Sequence, residues 1–252
     1  MNTAHSAHAN ARDRAAEFVA AHGSPLARAR AAALVGAGPV AAALEQLDPL
    51  VADGTPDSLL LTLRVCDELG ARADLRVERA CLRLAAAQRA DGGFDLGSDD
   101  LDRRVVYTGM AAGLLAKTPF ARPEMLEAAG DFLAAHFSPE RVQGFRFDDV
   151  IAYASFFANA LHEQSDPVLQ WCGRELERGF RARAFGAVRT ALVFACCDAH
   201  ALPGARLSPD ELRAALHAEQ SADGGFGLPV APAFERVDES LDALVALRHL
   251  RA

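Results

Sequence analysis

The chain has 252 residues, 51% of them hydrophobic, and a formal net charge of −8. That length and apolar fraction suffice for a buried core, and a mean hydropathy of +0.05 argues against both a disordered chain and a membrane-embedded one. The acidic balance disfavours nucleic acid as a partner, because phosphate binding needs clustered Lys and Arg.

The first ten residues, opening Met1-Asn2-Thr3-Ala4-His5, predict a mobile polar tail. They carry no positive patch followed by an apolar stretch, so no signal peptide is expected and the protein is placed in the cytoplasm. His22-Gly23-Ser24-Pro25 with Leu26–Val35 reads as a shortened helical unit, and Asp53-Gly54 with Ser58–Leu69 as the next. Leu75, Val77, Ala80, Cys81 and Leu84 recur at helical spacing, with Arg76, Glu78, Arg79 and Arg83 on the polar side. The loop Gln88–Phe94 follows, and after it a helix over Tyr107–Leu115. Gly144-Phe145 precedes a helix over Tyr153–Leu161, the Arg-rich stretch Arg174–Arg183 reads as a solvated helix face, and Phe185-Gly186 precedes Thr190–Leu202. A polar helix carrying Glu211, Arg213 and Glu219 leads to Gln220–Phe226 and a last helix over Ser240–Leu250. Ala, Leu, Arg and Glu dominate, and almost no stretch alternates with period two, so the fold class is all-α.

Self-comparison gives the most specific signal. Gln88-Arg-Ala-Asp91-Gly92-Gly93-Phe94 returns as Gln220-Ser-Ala-Asp223-Gly224-Gly225-Phe226, a displacement of 132 residues or three periods of 44. About six helical hairpins of about 42 residues account for the chain, which predicts a single domain over 11–252. The Gly-Gly step supplies the positive φ of a tight reversal, Phe94 or Phe226 plugs the gap between hairpins, and the Gln is placed to bond the turn's backbone. Helices before each loop carry charge on one side, as an outer layer would. Those after it are rich in Ala, Gly, Ser and Phe, as an inner layer would be. A hairpin that cannot bury its own apolar face stacks until the array closes or is capped.

The Gln-x-x-Asp-Gly-Gly-Phe loop, followed by a helix beginning in Tyr, Ser or Thr and ending in Ala-Leu, resembles the repeat of terpenoid cyclases and protein prenyltransferase β-subunits. The resemblance covers roughly residues 50–252 and implies an (α/α)6 toroid with a hydrophobic chain in its central cavity. The family's catalytic motifs do not accompany it. Asp99-Asp100-Leu101-Asp102 reverses the Asp-x-Asp-Asp spacing of the acid-initiated cyclases, and Cys196-Cys197-Asp198-Ala199-His200 has the prenyltransferase zinc residues in another order. Phe147-Asp148-Asp149-Val150 lacks the third carboxylate of an Asp-Asp-x-x-Asp magnesium motif.

The starts of the inner helices are expected to share one mouth, where free N–H groups favour anions. Its polar residues are Asp100, Asp102, Arg103 and Arg104, then Asp148 and Asp149, then Arg189 and Thr190, then Glu235, Arg236, Asp238 and Glu239. Helix capping by Asp, Ser and Thr is the structural alternative. Tyr107 and Tyr153, the only tyrosines, occupy equivalent places in successive units and could serve as acids or cation stabilisers, or as polar-tipped core aromatics. Cys66, Cys81, Cys172, Cys196 and Cys197 lack framework spacing and read as reduced, buried thiols. Cys196 and Cys197 stand four and three residues before His200, a zinc-compatible spacing. Trp171-Cys172-Gly173 is similar to a zinc loop of lanthionine cyclases without its Cys-His dipeptide.

The resulting expectation is a metal- and cofactor-independent cyclase, isomerase or lyase acting on a small hydrophobic specialised-metabolite substrate. Asp100, Asp102, Asp149, Tyr107 and Tyr153 would do the chemistry. Arg103, Arg104, Asp148, Phe156, Phe157, Arg189, Asp238 and Glu239 would hold the substrate. The alternatives are a non-catalytic toroid, carrying a hydrophobic ligand or binding a protein, and a zinc-dependent transferase to a thiol. No nucleic acid and no membrane insertion are expected.

Overall fold

Four helices open on the same two-residue device. Ser24-Pro25, Thr55-Pro56, Ser138-Pro139 and Ser208-Pro209 each place a hydroxyl that accepts from a backbone N–H one turn on, with proline at the first helical position. Such a cap contributes about 1 kcal/mol, and the proline forfeits only an N–H that would lack a helical partner anyway. The computed structural model describes residues 2–97 and 99–250.

The chain is all-α, as expected. Its helices are α1 (Asn2–His22), α2 (Pro25–Val35), α3 (Val40–Glu45), α4 (Asp48–Asp53), α5 (Pro56–Glu68), α6 (Leu75–Ala86) and α7 (Leu101–Ala116). There follow α8 (Pro123–Ala135), α9 (Pro139–Val142), α10 (Phe147–Asn159), α11 (Ser165–Arg181), α12 (Ala187–Cys196), α13 (Pro209–Glu219) and α14 (Val237–His249), the last preceded by a 3-10 turn over Ala233–Arg236. Several boundaries differ from expectation. Helix α1 begins at Asn2, inside the stretch expected as a tail, because Ala4, Ala7, Ala9 and Ala11 favour helix there. Helices α7 and α10 start six residues before their tyrosines, so Tyr107 and Tyr153 are each the seventh residue of a helix rather than its opening. Helix α12 ends at Cys196 rather than Leu202, where Asp198 turns the backbone to φ 48.

The residues gather into two compact units, interleaved along the chain: Met1–Leu47 with Gly186–Ala195 and Leu207–Ala252, and Asp48–Phe185 with Cys196–Arg206. In the second-named unit, α5 packs on α6 and α7, α7 on α8 and α10, and α10 on α11. The closest approach is α7 to α10. A Cβ on Gly109 would lie 2.6 Å from the Ala152 carbonyl oxygen, and one on Gly113 2.5 Å from Ser155 Oγ. Small residues therefore let these two helices touch backbone to backbone, as the Ala/Gly/Ser composition predicts. Phe94, Leu115, Phe132, Tyr153, Phe156 and Leu176 fill this unit's core. In the first-named unit, α14 packs on α13 but also on α1 and α2. The last helix of the chain thus rests on the first two, around Phe18, Leu34, Phe226 and Leu244.

Candidate functional site

The two copies of the repeat loop fold into the same clasp. In the first, Asp91 takes two hydrogen bonds from Arg104 Nη2, at 2.8 and 2.9 Å, and one from the Gly93 N–H at 3.1 Å. Arg104 also donates to the Phe94 carbonyl, and its guanidinium lies 5.0 Å above the Phe132 ring. The buried Phe94 N–H finds Thr108 Oγ1 at 3.0 Å. Gln88 Nε2 reaches the Gly92 carbonyl and the Met125 carbonyl on α8, each at 2.9 Å. In the second, Arg236 holds Asp223 at 2.7 and 3.0 Å and the Phe226 carbonyl at 3.2 Å, and lies 4.9 Å above Phe18. Ser240 Oγ takes the Phe226 N–H at 2.9 Å, and Gln220 spans the Gly224 and Ala11 carbonyls at 2.8 Å each. Gly92 and Gly224 sit at φ 89 and 90, with Ala128 and Arg14 carbonyls where a Cβ would go, so only glycine fits.

Helix α1 therefore stands to the second clasp as α8 stands to the first. Arg14 completes the dock, donating to the Ser221 and Ala222 carbonyls at 2.9 Å.

These contacts place Arg104, expected to hold substrate, under the loop as the buried counter-ion of Asp91. Thr108, Arg236 as a clasp residue, Ser240, Phe132 and Phe18 were not anticipated. A longer self-comparison finds three of them. Arg104 and Arg236 each lie thirteen residues after the motif Asp, and Thr108 and Ser240 each lie fourteen after the motif Phe.

The structure brings two of the five acid/base candidates together. Asp102 on α7 and Asp149 on α10 share Arg141 and Arg146. Arg141 reaches Asp149 at 2.9 Å and Asp102 at 2.8 Å, while Arg146 reaches Asp149 at 2.6 Å and Asp102 at 3.3 Å. Asp149 is buried and Asp102 exposed, and the Arg141 hydrogen bond holds the Asp102 carboxyl below the usual range. Two carboxylates and two guanidiniums are thus paired across the cluster, with no net charge. Asp100 caps α7, its carboxylate accepting from the Arg103 N–H at 3.2 Å, and the neighbouring Asp99 takes Arg89.

The tyrosines lie apart from this cluster. Tyr107 donates to the Pro56 carbonyl at 2.8 Å and Tyr153 to the His136 carbonyl at 2.9 Å. Burial pushes both phenols well above the ordinary value of 10.0. Each phenol spends its proton on a carbonyl of a neighbouring helix end. Phe156 and Phe157 are buried edge-to-face on one another, with Phe156 over Gly130 and Phe157 stacked on Tyr153. Arg103 and Asp148 are exposed.

In the other unit, Glu219 caps α12 by accepting the Ala187 N–H at 2.7 Å. Arg189, Asp238 and Glu239 are exposed beside it in sequence position on the first turns of α12 and α14. Partial burial pushes Glu239 up from its ordinary 4.5, and Glu219 and Asp242 add to this while Arg189 opposes it. The loop before α14 exposes three large apolar residues, Leu228 at 73%, Val230 at 92% and Phe234 at 69%.

All five cysteines are free thiols, four of them buried. Burial pushes Cys66 and Cys196 up to about 12, and Cys172 and Cys197 also upward, which keeps the thiols protonated. Among the described residues no group of three or more His, Cys, Asp and Glu is placed to hold a metal ion, and no helix is long and apolar enough to cross a membrane. No family model and no curated protein matches the chain.

Proposed function

We propose that the chain is an (α/α)6 toroid of the terpenoid-cyclase kind that binds a hydrophobic small molecule at the loops opening its inner helices, without acid/base turnover. The carrying observation is the occupation of the expected catalytic groups. Asp102 and Asp149 are neutralised by Arg141 and Arg146, and Tyr107 and Tyr153 are bonded to backbone carbonyls with their phenols pushed up. A general acid needs a proton it can release near the working pH; Asp102 is shifted below that range and both phenols above it, and Asp149 is held between two guanidiniums. The ring is supported by α1 docking on the second clasp as α8 docks on the first. Binding is supported by the apolar loop at Leu228, Val230 and Phe234. The protonated thiols suit the reducing cytoplasm.

Titration with an environment-sensitive apolar dye tests this reading. The variant carrying Leu228→Asp, Val230→Asp and Phe234→Asp is expected to bind the dye at least about 10-fold more weakly than the parent. Unchanged binding would sink the proposal.

A second reading keeps the enzyme. Among the described carboxylates with displaced acidities, Glu239 alone is displaced upward, toward the range a proton donor needs. Cell extract incubated with the chain would decide: loss of a metabolite that Glu239→Gln abolishes and Asp102→Asn preserves supports catalysis.

A further inference from the structure

Helix α6 turns an unusual face to solvent. Leu75 and Leu82, seven residues apart on that face, are 64% and 58% exposed. Arg79 lies between them, and Arg76 and Arg83 flank the same stripe. With Val51 and Ala52 on α4 these residues border an open groove of ≈ 640 Å³. Arg76 is committed to Asp48 at 2.8 Å and to Asp74 at 3.2 Å. Arg83 makes one long bond, 3.4 Å, to the Ala52 carbonyl and lies within electrostatic reach of Asp53, as Arg79 does of Asp48. The groove thus carries three guanidiniums against one lining carboxylate, Asp48, beside two exposed leucines, on a protein whose net charge is −8.

The repeat supplies its own control. Leu75 is matched 132 residues on by Leu207, which is buried and precedes α13, while Arg79, Leu82 and Arg83 are matched by Glu211, Ala214 and Ala215 on α13. Helix α13 leads into an identical clasp without this face, so the fold does not require the leucine–arginine stripe. The residues that do recur for the fold, Leu84 with Leu216 and Gln88 with Gln220, point elsewhere, Leu84 and Leu216 into their cores.

We infer that the α4/α6 groove is a docking site for an acidic amphipathic helix of a partner protein. Its apolar side chains would lie against Leu75 and Leu82, and its carboxylates would meet Arg79 and Arg83. Apolar anchors one or two turns apart are how a helix seats in a groove, and the charges set which helices are accepted. The inference is independent of the ligand proposed above, since it uses none of the residues at the Leu228–Phe234 loop.

A fluorescein-labelled peptide of about 15 residues, with leucines on one helical face and glutamates beside them, is the probe. Its twin with lysine for glutamate and phosphatidylglycerol vesicles are the comparisons. Anisotropy is expected to show the acidic peptide bound at least about 10-fold more tightly than its twin, weakening between about 50 and about 300 mM NaCl. Arg79→Glu and Leu82→Asp are each expected to weaken binding about 10-fold with unchanged thermal unfolding. Leu228→Asp is expected to leave it unaltered. Equal binding of both peptides, or of the acidic peptide to parent and Arg79→Glu, overturns the inference. Partition onto the vesicles without peptide binding also overturns it, by assigning the face to a lipid surface.

Discussion

The two repeat loops share a skeleton and differ in what they carry. In both, aspartate, arginine, glutamine and a hydroxyl form the same bonds, and a phenylalanine with no exposed surface fills the centre. Between that phenylalanine and the arginine lie nine residues in each. The first insert, 95–103, is acidic, with Asp95 and Asp99 bound to Arg89 and Asp102 to Arg141 and Arg146. The second, 227–235, is apolar and exposes Leu228, Val230 and Phe234. A rigid frame that accepts either insert separates stability from recognition, and recognition then resides in the inserts.

The largest test of that separation is in the frame. Phe94→Ala and Phe226→Ala each empty a fully buried site and are expected to cost about 3–5 kcal/mol in urea unfolding. The comparison predicts costs within about 1 kcal/mol of one another, because the surrounding bonds are the same. A cheap loss at one site alone would show that one clasp is ornamental.

The ion pair beneath the loop is the next largest effect. Asp91→Asn leaves the Arg104 guanidinium buried without its counter-charge, and because Asp91 is half-exposed the cost is about 1–2 kcal/mol rather than that of a fully buried pair. The sign of its pH dependence follows from Arg104, whose hydrogen bond holds the Asp91 carboxyl below its ordinary 3.8. A lowered folded-state value means the stabilisation is complete above about pH 4 and disappears as pH falls through that lowered value. Parent and Asp91→Asn are therefore expected to differ at pH 7 and converge in acid. Asp223→Asn should repeat the pattern, since Arg236 lowers Asp223 in the same way. A gap that persists at low pH would refute the charge-pair account.

The self-comparison made the loops legible because they repeat Gln, Asp, Gly, Gly and Phe at fixed spacing, and the structure bears out their tight turn and buried ring. The arginine and hydroxyl thirteen and fourteen residues on were equally repeated, but an insert of unrelated sequence hid them. Arg104, a cation at a helix start and so expected to meet a ligand, serves Asp91 instead. Asp100 caps its helix, the structural alternative that its place in the sequence allows. The pairing of Asp102 with Asp149 was out of reach, because Arg141 and Arg146 reach them from a segment with no periodic signal. The role of α1 was also hidden. Its partners Gln220 and Arg236 come from the far end of the chain, and its own sequence carries no loop motif.

The smallest expected change in stability carries the sharpest consequence for function. Glu239→Gln removes a carboxylate whose acidity is raised by partial burial, so its ionised form opposes folding as pH rises through that raised value. The variant is expected to be no less stable than the parent at pH 7 and slightly less advantaged at pH 4. Replacing residues 227–235 with the sequence of 95–103 is likewise expected to shift unfolding by only about 0.5 kcal/mol, because the exchanged side chains are largely exposed and both ends of the insert are fixed by the same clasp. Apolar-dye binding is expected to fall with it at least about 10-fold, as in the triple aspartate variant. Should the exchange unfold the chain instead, the apolar insert would belong to the frame, and the division between a common skeleton and a private insert would fail at the copy where it is drawn most sharply.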